Sequence, residues 1–160
     1  MKERFNPHLD LEELVDKLLY ELVDSMAREP GTRQALAGAR EQGWKMAIVP
    51  NGTTTQQSLK IQKLGLEPCV DAVVISEAEG VKKPDPEIFR LAARRLGLEV
   101  NGGWLLGDHP VAGIADGRAV GLETGWVSRG MKWPEREPSS TVTAGTAAEV
   151  IGTVVRQCPC

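Results

Sequence analysis

The chain has 160 residues, 41% apolar and 26% charged, enough for one ordinary globular domain with its own core. With 19 basic and 22 acidic residues the net charge is −3 and there is no long basic run, which argues against a general nucleic-acid binder. No apolar stretch approaches membrane-spanning length and the polar start MKERFNPHLD lacks a signal-peptide core, so a cytoplasmic protein away from membranes is expected.

Residues 10 to 26, DLEELVDKLLYELVDSM, predict an amphipathic helix with Leu11, Leu14, Val15, Leu18, Leu19, Leu22 and Met26 on one face. Asp10 and Glu13 stand in capping-box spacing before it. EPG breaks the pattern, and a second helix is expected from about Thr32 to Gln42, closed by Gly43. Strand and helix signals then alternate. KMAIVP reads as a buried strand, TTQQSLKIQKLG as a helix and DAVVIS as a strand. DPEIFRLAARRLG predicts a helix with Asp85 as N-cap, Pro86 in the first turn and Gly97 as the stop.

GWLLGD is a further strand, PVAGIADGRAVG a short helix and LETGWVS a strand. MKWPEREPSS is a polar loop. TVTAGTAAEVIGTVVRQ gives a short strand and a helix that Thr146 and Glu149 can cap. Alternation at this spacing predicts an α/β domain: a Rossmann-like parallel sheet between two helical layers. Cys69, Cys158 and Cys160 are expected to be reduced thiols, the last two in a flexible tail over residues 155 to 160.

In open α/β sheets, ligands bind beyond the carboxyl ends of the strands. Three segments put polar groups there: Pro50-Asn51-Gly52-Thr53, the loop with Lys82 and Lys83, and Gly107-Asp108-His109. Taken singly, each has an ordinary structural explanation as a turn pair, a solvated loop or a helix cap. Together they supply what a phosphate with hydrated Mg²⁺ needs. Lysine balances phosphate charge, a carboxylate holds Mg²⁺ through oxygen, and backbone N–H groups at a glycine turn meet anionic oxygens.

The three segments resemble, in the right order, motifs of the haloacid dehalogenase-like (HAD) superfamily of hydrolases, mostly phosphatases acting through an aspartyl-phosphate. WKMAIVPNGTTTQQ is similar to the second, phosphate-binding motif, and SEAEGVKKPDPEIF to the third. WLLGDHPVAGIADGRAVGLETGWVSRG is similar to the fourth, acidic motif and the strand after it. The likeness spans nearly all of residues 31 to 155. It implies that Asn51 and Gly52 bind phosphate and that Lys83, directly before Pro84, contacts phosphate and nucleophile. It also implies that Asp108 is a Mg²⁺ ligand and that residues 1 to 30 are a helical cap remnant before a core over residues 31 to 160.

The departures from the family pattern carry equal weight. The family's Asp-x-Asp-x-Thr motif, which supplies nucleophile and general acid at the end of the sheet's central first strand, occurs nowhere in the chain. Pro50 stands where the family has a hydroxyl residue. Gly113 stands where it has a second aspartate, with Asp116 three residues later. On an α-helix that offset is a turn, about 5 Å, so Asp116 is expected to replace the missing ligand only in part.

Two readings of function follow. One is a phosphatase-type hydrolase lacking its first strand and inactive or strongly impaired alone, keeping a weak Mg²⁺ site and affinity for a small phosphorylated molecule. The other is a non-catalytic binding or assembly module on the same scaffold, expected as a homodimer or larger because a missing central strand leaves apolar surface to cover. A Rossmann dinucleotide binder is disfavoured by the absence of Gly-x-Gly-x-x-Gly, and a serine hydrolase by the absence of Gly-x-Ser-x-Gly.

Overall fold

The computed structural model describes residues 31 to 157. The predicted helix over residues 10 to 26, the cap-like segment 1 to 30, and Cys158 and Cys160 lie outside the described residues. Helix α1 (Thr32–Glu41) ends at Gln42, and Gly43 follows at φ 90°, the left-handed stop expected of it. Strand β1 (Ala47–Ile48) leads to α2 (Thr54–Lys63), whose Thr53 hydroxyl accepts the Gln56 N–H at 3.3 Å. Strand β2 (Ala72–Val73) is followed by a single turn, α3 (Ser76–Glu79), within a stretch expected to be loop. Helix α4 (Glu87–Arg95) begins where Asp85 Oδ1 accepts the Glu87 N–H at 2.9 Å.

Strand β3 (Trp104–Gly107) runs into a wide π-type turn, Pro110–Ala115, and then the short α5 (Asp116–Ala119). Strands β4 (Glu123–Val127) and β5 (Val142–Ala144) and helix α6 (Ala147–Gln157) complete the order. The predicted capping box closes α6: the Glu149 N–H donates to Thr146 Oγ1 and the Thr146 N–H to Glu149 Oε2, both at 3.2 Å. The helix reaches Gln157, so residues 155 to 157 are not the flexible tail expected of them. Val154 and Val155 are buried and hold that last turn down.

Among the described residues every strand pairing is parallel, as predicted, in two blocks. β1 pairs with β2, with Ala47 opposite Ala72 and Ile48 opposite Val73. β4 lies between β3 and β5, with Trp104 opposite Glu123 and Gly125 opposite Val142. Among the described residues no ladder joins β1 to β3.

Successive side chains of a strand face opposite ways, and the core divides accordingly. Trp104 packs with Val127, Val142, Val150 and Val154 around α6, while its neighbour Leu105 joins Val74, Ile88, Phe89 and Ala92 around α4. Likewise Met46 packs with Ala39, Ile151 and Val155, where α1 meets α6, and Ala47 packs with the α4 cluster. The result is helices on both faces of parallel strands, with the polar segments at the strands' carboxyl ends. No helix among the described residues is long and apolar enough to cross a membrane.

Candidate active site

At the end of β1 the chain must turn sharply, and Gly52 permits it. Its φ is +146°, and a Cβ there would stand 2.5 Å from Gln57 Nε2. Gln57 is buried and donates to the Asn51 carbonyl at 3.3 Å, so α2 supports the loop from beneath. Ser76 pins the loop from the β2 side: its Oγ accepts the Gly52 N–H at 2.9 Å and donates to the Gly52 carbonyl at 3.3 Å.

Asn51 makes a two-point clamp on Lys83. Its Nδ2 donates to the Lys83 carbonyl at 3.0 Å, and its Oδ1 accepts the Lys83 N–H at 3.0 Å. The amide expected to face an anion therefore holds the lysine's main chain, next to the cis Lys83–Pro84 peptide. Lys82 is exposed, whereas Lys83 is half-buried. Burial pushes the Lys83 ammonium below the ordinary lysine range, and the Asp116 and Asp108 carboxylates oppose that shift. These three groups thus share one electrostatic site.

Asp108 follows β3 directly. Its Oδ2 is buried and has no hydrogen-bond donor among the described residues. Asp116 is brought in by the wide turn. The Ile114 N–H bonds back to the His109 carbonyl at 3.3 Å, a five-residue step, and Ile114 is fully buried. The α-helical offset expected between Gly113 and Asp116 does not apply across that turn, and Asp116 reaches the field of Lys83. Burial raises the Asp116 carboxyl above the usual range, while Lys83 and His109 pull it down. His109 itself is exposed and its Nδ1 accepts the Val111 N–H at 3.2 Å.

A buried carboxylate oxygen awaiting a partner, with a second carboxylate near one lysine, suits a hydrated Mg²⁺, which typically takes one or two protein carboxylates and keeps several waters. The described residues offer no group of three His, Cys, Asp or Glu ligands. The structure thus brings together Asn51, Gly52, Lys83, Asp108 and Asp116. His109 comes with the Gly107-Asp108-His109 segment, and Gln57 and Ser76 join through hydrogen bonds made across the fold.

A family model for haloacid dehalogenase-like hydrolases matches residues 5–121. A ribulose-1,5-bisphosphate 5-phosphatase of Halopiger xanaduensis is 36% identical over 126 residues, covering 79% of this chain and 51% of that protein. A phosphoserine phosphatase of Thermus thermophilus is 31% identical over 137 residues, covering 81% and 55%. The chain spans about half the length of the curated relatives it matches. Among solved structures, a HAD phosphatase from Thermococcus onnurineus superposes with a TM-score of 0.71 at 25% identity, over 85% of this chain and 64% of that one. A HAD-type hydrolase of Bacillus subtilis solved with magnesium has the same fold, with a TM-score of 0.68 at 24% identity, over 81% and 55%.

Proposed function

The chain belongs to the haloacid dehalogenase-like hydrolases, and we propose that it carries the phosphate- and metal-facing part of a phosphatase site, inactive or strongly impaired on its own. The observation that carries this reading is the half-buried Lys83, clamped by Asn51 and placed in the field of Asp108 and Asp116. The relatives' names supply the substrate class: small phosphorylated molecules such as phosphoserine, ribulose bisphosphate and glyceraldehyde 3-phosphate. A cytoplasmic location fits such substrates.

In this reading Lys83 neutralises phosphate charge, and the turn at Asn51 and Gly52 shapes the anion's seat beside the start of α2. Asp108 and Asp116 would hold Mg²⁺, which when bound would add positive charge next to the phosphate. In this reading the 160 residues lack the motif that supplies the family's nucleophile. No Asp-x-Asp-x-Thr occurs in the 160 residues, and Pro50 has neither hydroxyl nor N–H to offer phosphate. Losing a group that acts in concert with others costs orders of magnitude in rate.

The test is phosphate release from an aryl phosphomonoester, with and without Mg²⁺, by the wild-type chain and by Lys83→Ala and Asp108→Ala. All three are expected to be silent or nearly so. Mg²⁺-dependent turnover at ordinary enzyme rates by the wild type, lost in both variants, would overturn the claim of impairment.

One observation favours the assembly reading as well. Leu106 lies on β3 yet is 37% exposed, beside the strand edge that no described ladder occupies. An uncovered edge of this kind suits a homodimer or larger assembly. Light scattering at micromolar concentration is expected to give more than the monomer mass of 17.3 kDa. A clean monomer would count against it.

A further inference from the structure

The polar loop between β4 and β5 has no part in the site as described so far, yet it reaches both carboxylates through other residues. Trp126, in β4, is 2% exposed and donates its indole N–H to the Asp108 main-chain carbonyl at 2.9 Å. Trp133, in the loop, packs edge-on against Trp126, with ring centroids 4.8 Å apart and planes at 77°. That edge-to-face arrangement is the favourable one for two aromatic rings. Trp133 is fixed in turn by donating to the Glu137 carbonyl at 2.9 Å. Farther along, the Ser139 carbonyl accepts a hydrogen bond from Arg118, in the short helix that Asp116 begins.

A strand residue needs only an apolar side chain to fill this core, as Val127 does. An indole N–H aimed at the carbonyl of an acidic site residue does something more. It fixes the peptide plane after Asp108 and so the direction in which β3 hands the chain to the wide turn. We propose that Trp126 is a positioning residue for Asp108: its N–H sets the main chain from which the carboxylate projects, and Trp133 locks the indole in place. The loop after β4 thereby governs the metal-facing side of the site and leaves the Lys83 side alone. The consequence for metal rests on the reading of Asp108 as a Mg²⁺ ligand; the consequence for the main chain does not.

The test compares wild type, Trp126→Phe, which keeps an aromatic ring and removes the N–H, and Trp133→Leu, which leaves the N–H and removes its brace. Amide hydrogen exchange at Asp108, His109 and Val111 is expected to quicken in Trp126→Phe by up to about tenfold, the opening that one lost hydrogen bond allows. Exchange in α6 should stay as it is. Trp133→Leu should show the same change, smaller, and it decides the matter if Trp126→Phe does not fold. Mn²⁺ as the probe ion should bind about tenfold more weakly to Trp126→Phe, the usual cost of losing a residue that orients a metal ligand. Inorganic phosphate affinity should hold. Wild-type exchange at Asp108, His109 and Val111 in the folded variants would overturn the proposal. If exchange quickens while wild type binds no Mn²⁺, the positioning role stands and the metal reading of Asp108 falls.

Discussion

Where β3, β4 and β5 meet α6, the interior is Val127, Val142, Val150 and Val154, all buried, and the approach is so close that any side chain on Gly125 would force its neighbours to shift. A Cβ there would stand 2.5 Å from Leu106 Cδ2 and 2.6 Å from Val150 Cγ1. Where β1 meets β2, each strand has two residues and none is buried. That block packs Ala47 against the α4 cluster and is pinned by side chains as well. Arg40 reaches the Pro68 carbonyl at 2.7 Å and Asp71 at 2.9 Å, Asp71 accepts the Met46 N–H at 2.9 Å, and Asn51 clamps Lys83. Both halves have an apolar core, but the β1–β2 half adds directed side-chain hydrogen bonds to its own cluster of Val74, Ile88, Phe89 and Ala92. The site lies across both: Asp108 and Asp116 on the packed side, Lys83 on the pinned side. The carboxylates should therefore respond to core mutations and the lysine to polar ones.

The largest effect should come from the packed half. Val150 is fully buried, and Val150→Ala removes two methyl groups and leaves a cavity, so a loss of about 2–3 kcal/mol is expected in denaturant unfolding. A loss below about 0.5 kcal/mol would mean that this half is not packing-limited. Asn51→Ala comes next. It strips two hydrogen bonds from part-buried main-chain groups, for about 1–2 kcal/mol. It should also weaken phosphate binding more than Val150→Ala does, and an equal loss in both variants would erase the distinction between the halves.

The smallest effect concerns acid. The Met46 N–H, and after it the Arg40 guanidinium, hold the Asp71 carboxyl below its usual 3.8. The folded state thus binds this proton less tightly than the unfolded chain. The contribution is complete above about pH 4 and fades as pH falls through the lowered value. The ion pair is solvent-facing, with Arg40 44% and Asp71 23% exposed, so Asp71→Asn should cost less than about 1 kcal/mol at neutral pH. It should also flatten the acid limb of stability, and an unchanged acid limb would remove Asp71 from the account.

What was legible in the sequence was local or periodic. The Thr146–Glu149 capping box, the Gly43 stop and the alternating strands and helices need only neighbours a few residues away, and all are present. The parallel order of elements followed from that alternation. The clamp from Asn51 to Lys83 joins residues 32 apart and the Trp126 bond to Asp108 spans 18, so no local pattern announces either. The sequence puts Asp116 on an α-helical turn because Pro110 to Gly121 reads as one short helix. Burial of Ile114 instead draws the chain into a wider turn and changes where Asp116 emerges.

Everything above turns on whether Lys83, held by Asn51 and facing two carboxylates, is an anion seat. The most direct measurement is calorimetric titration of inorganic phosphate into wild type, Lys83→Met and Asn51→Ala, with and without Mg²⁺. The account predicts that wild type binds phosphate and that Mg²⁺ tightens it. Lys83→Met should abolish binding, and Asn51→Ala should weaken it about tenfold, the effect of about 1.4 kcal/mol. Wild-type affinity in Lys83→Met would contradict it.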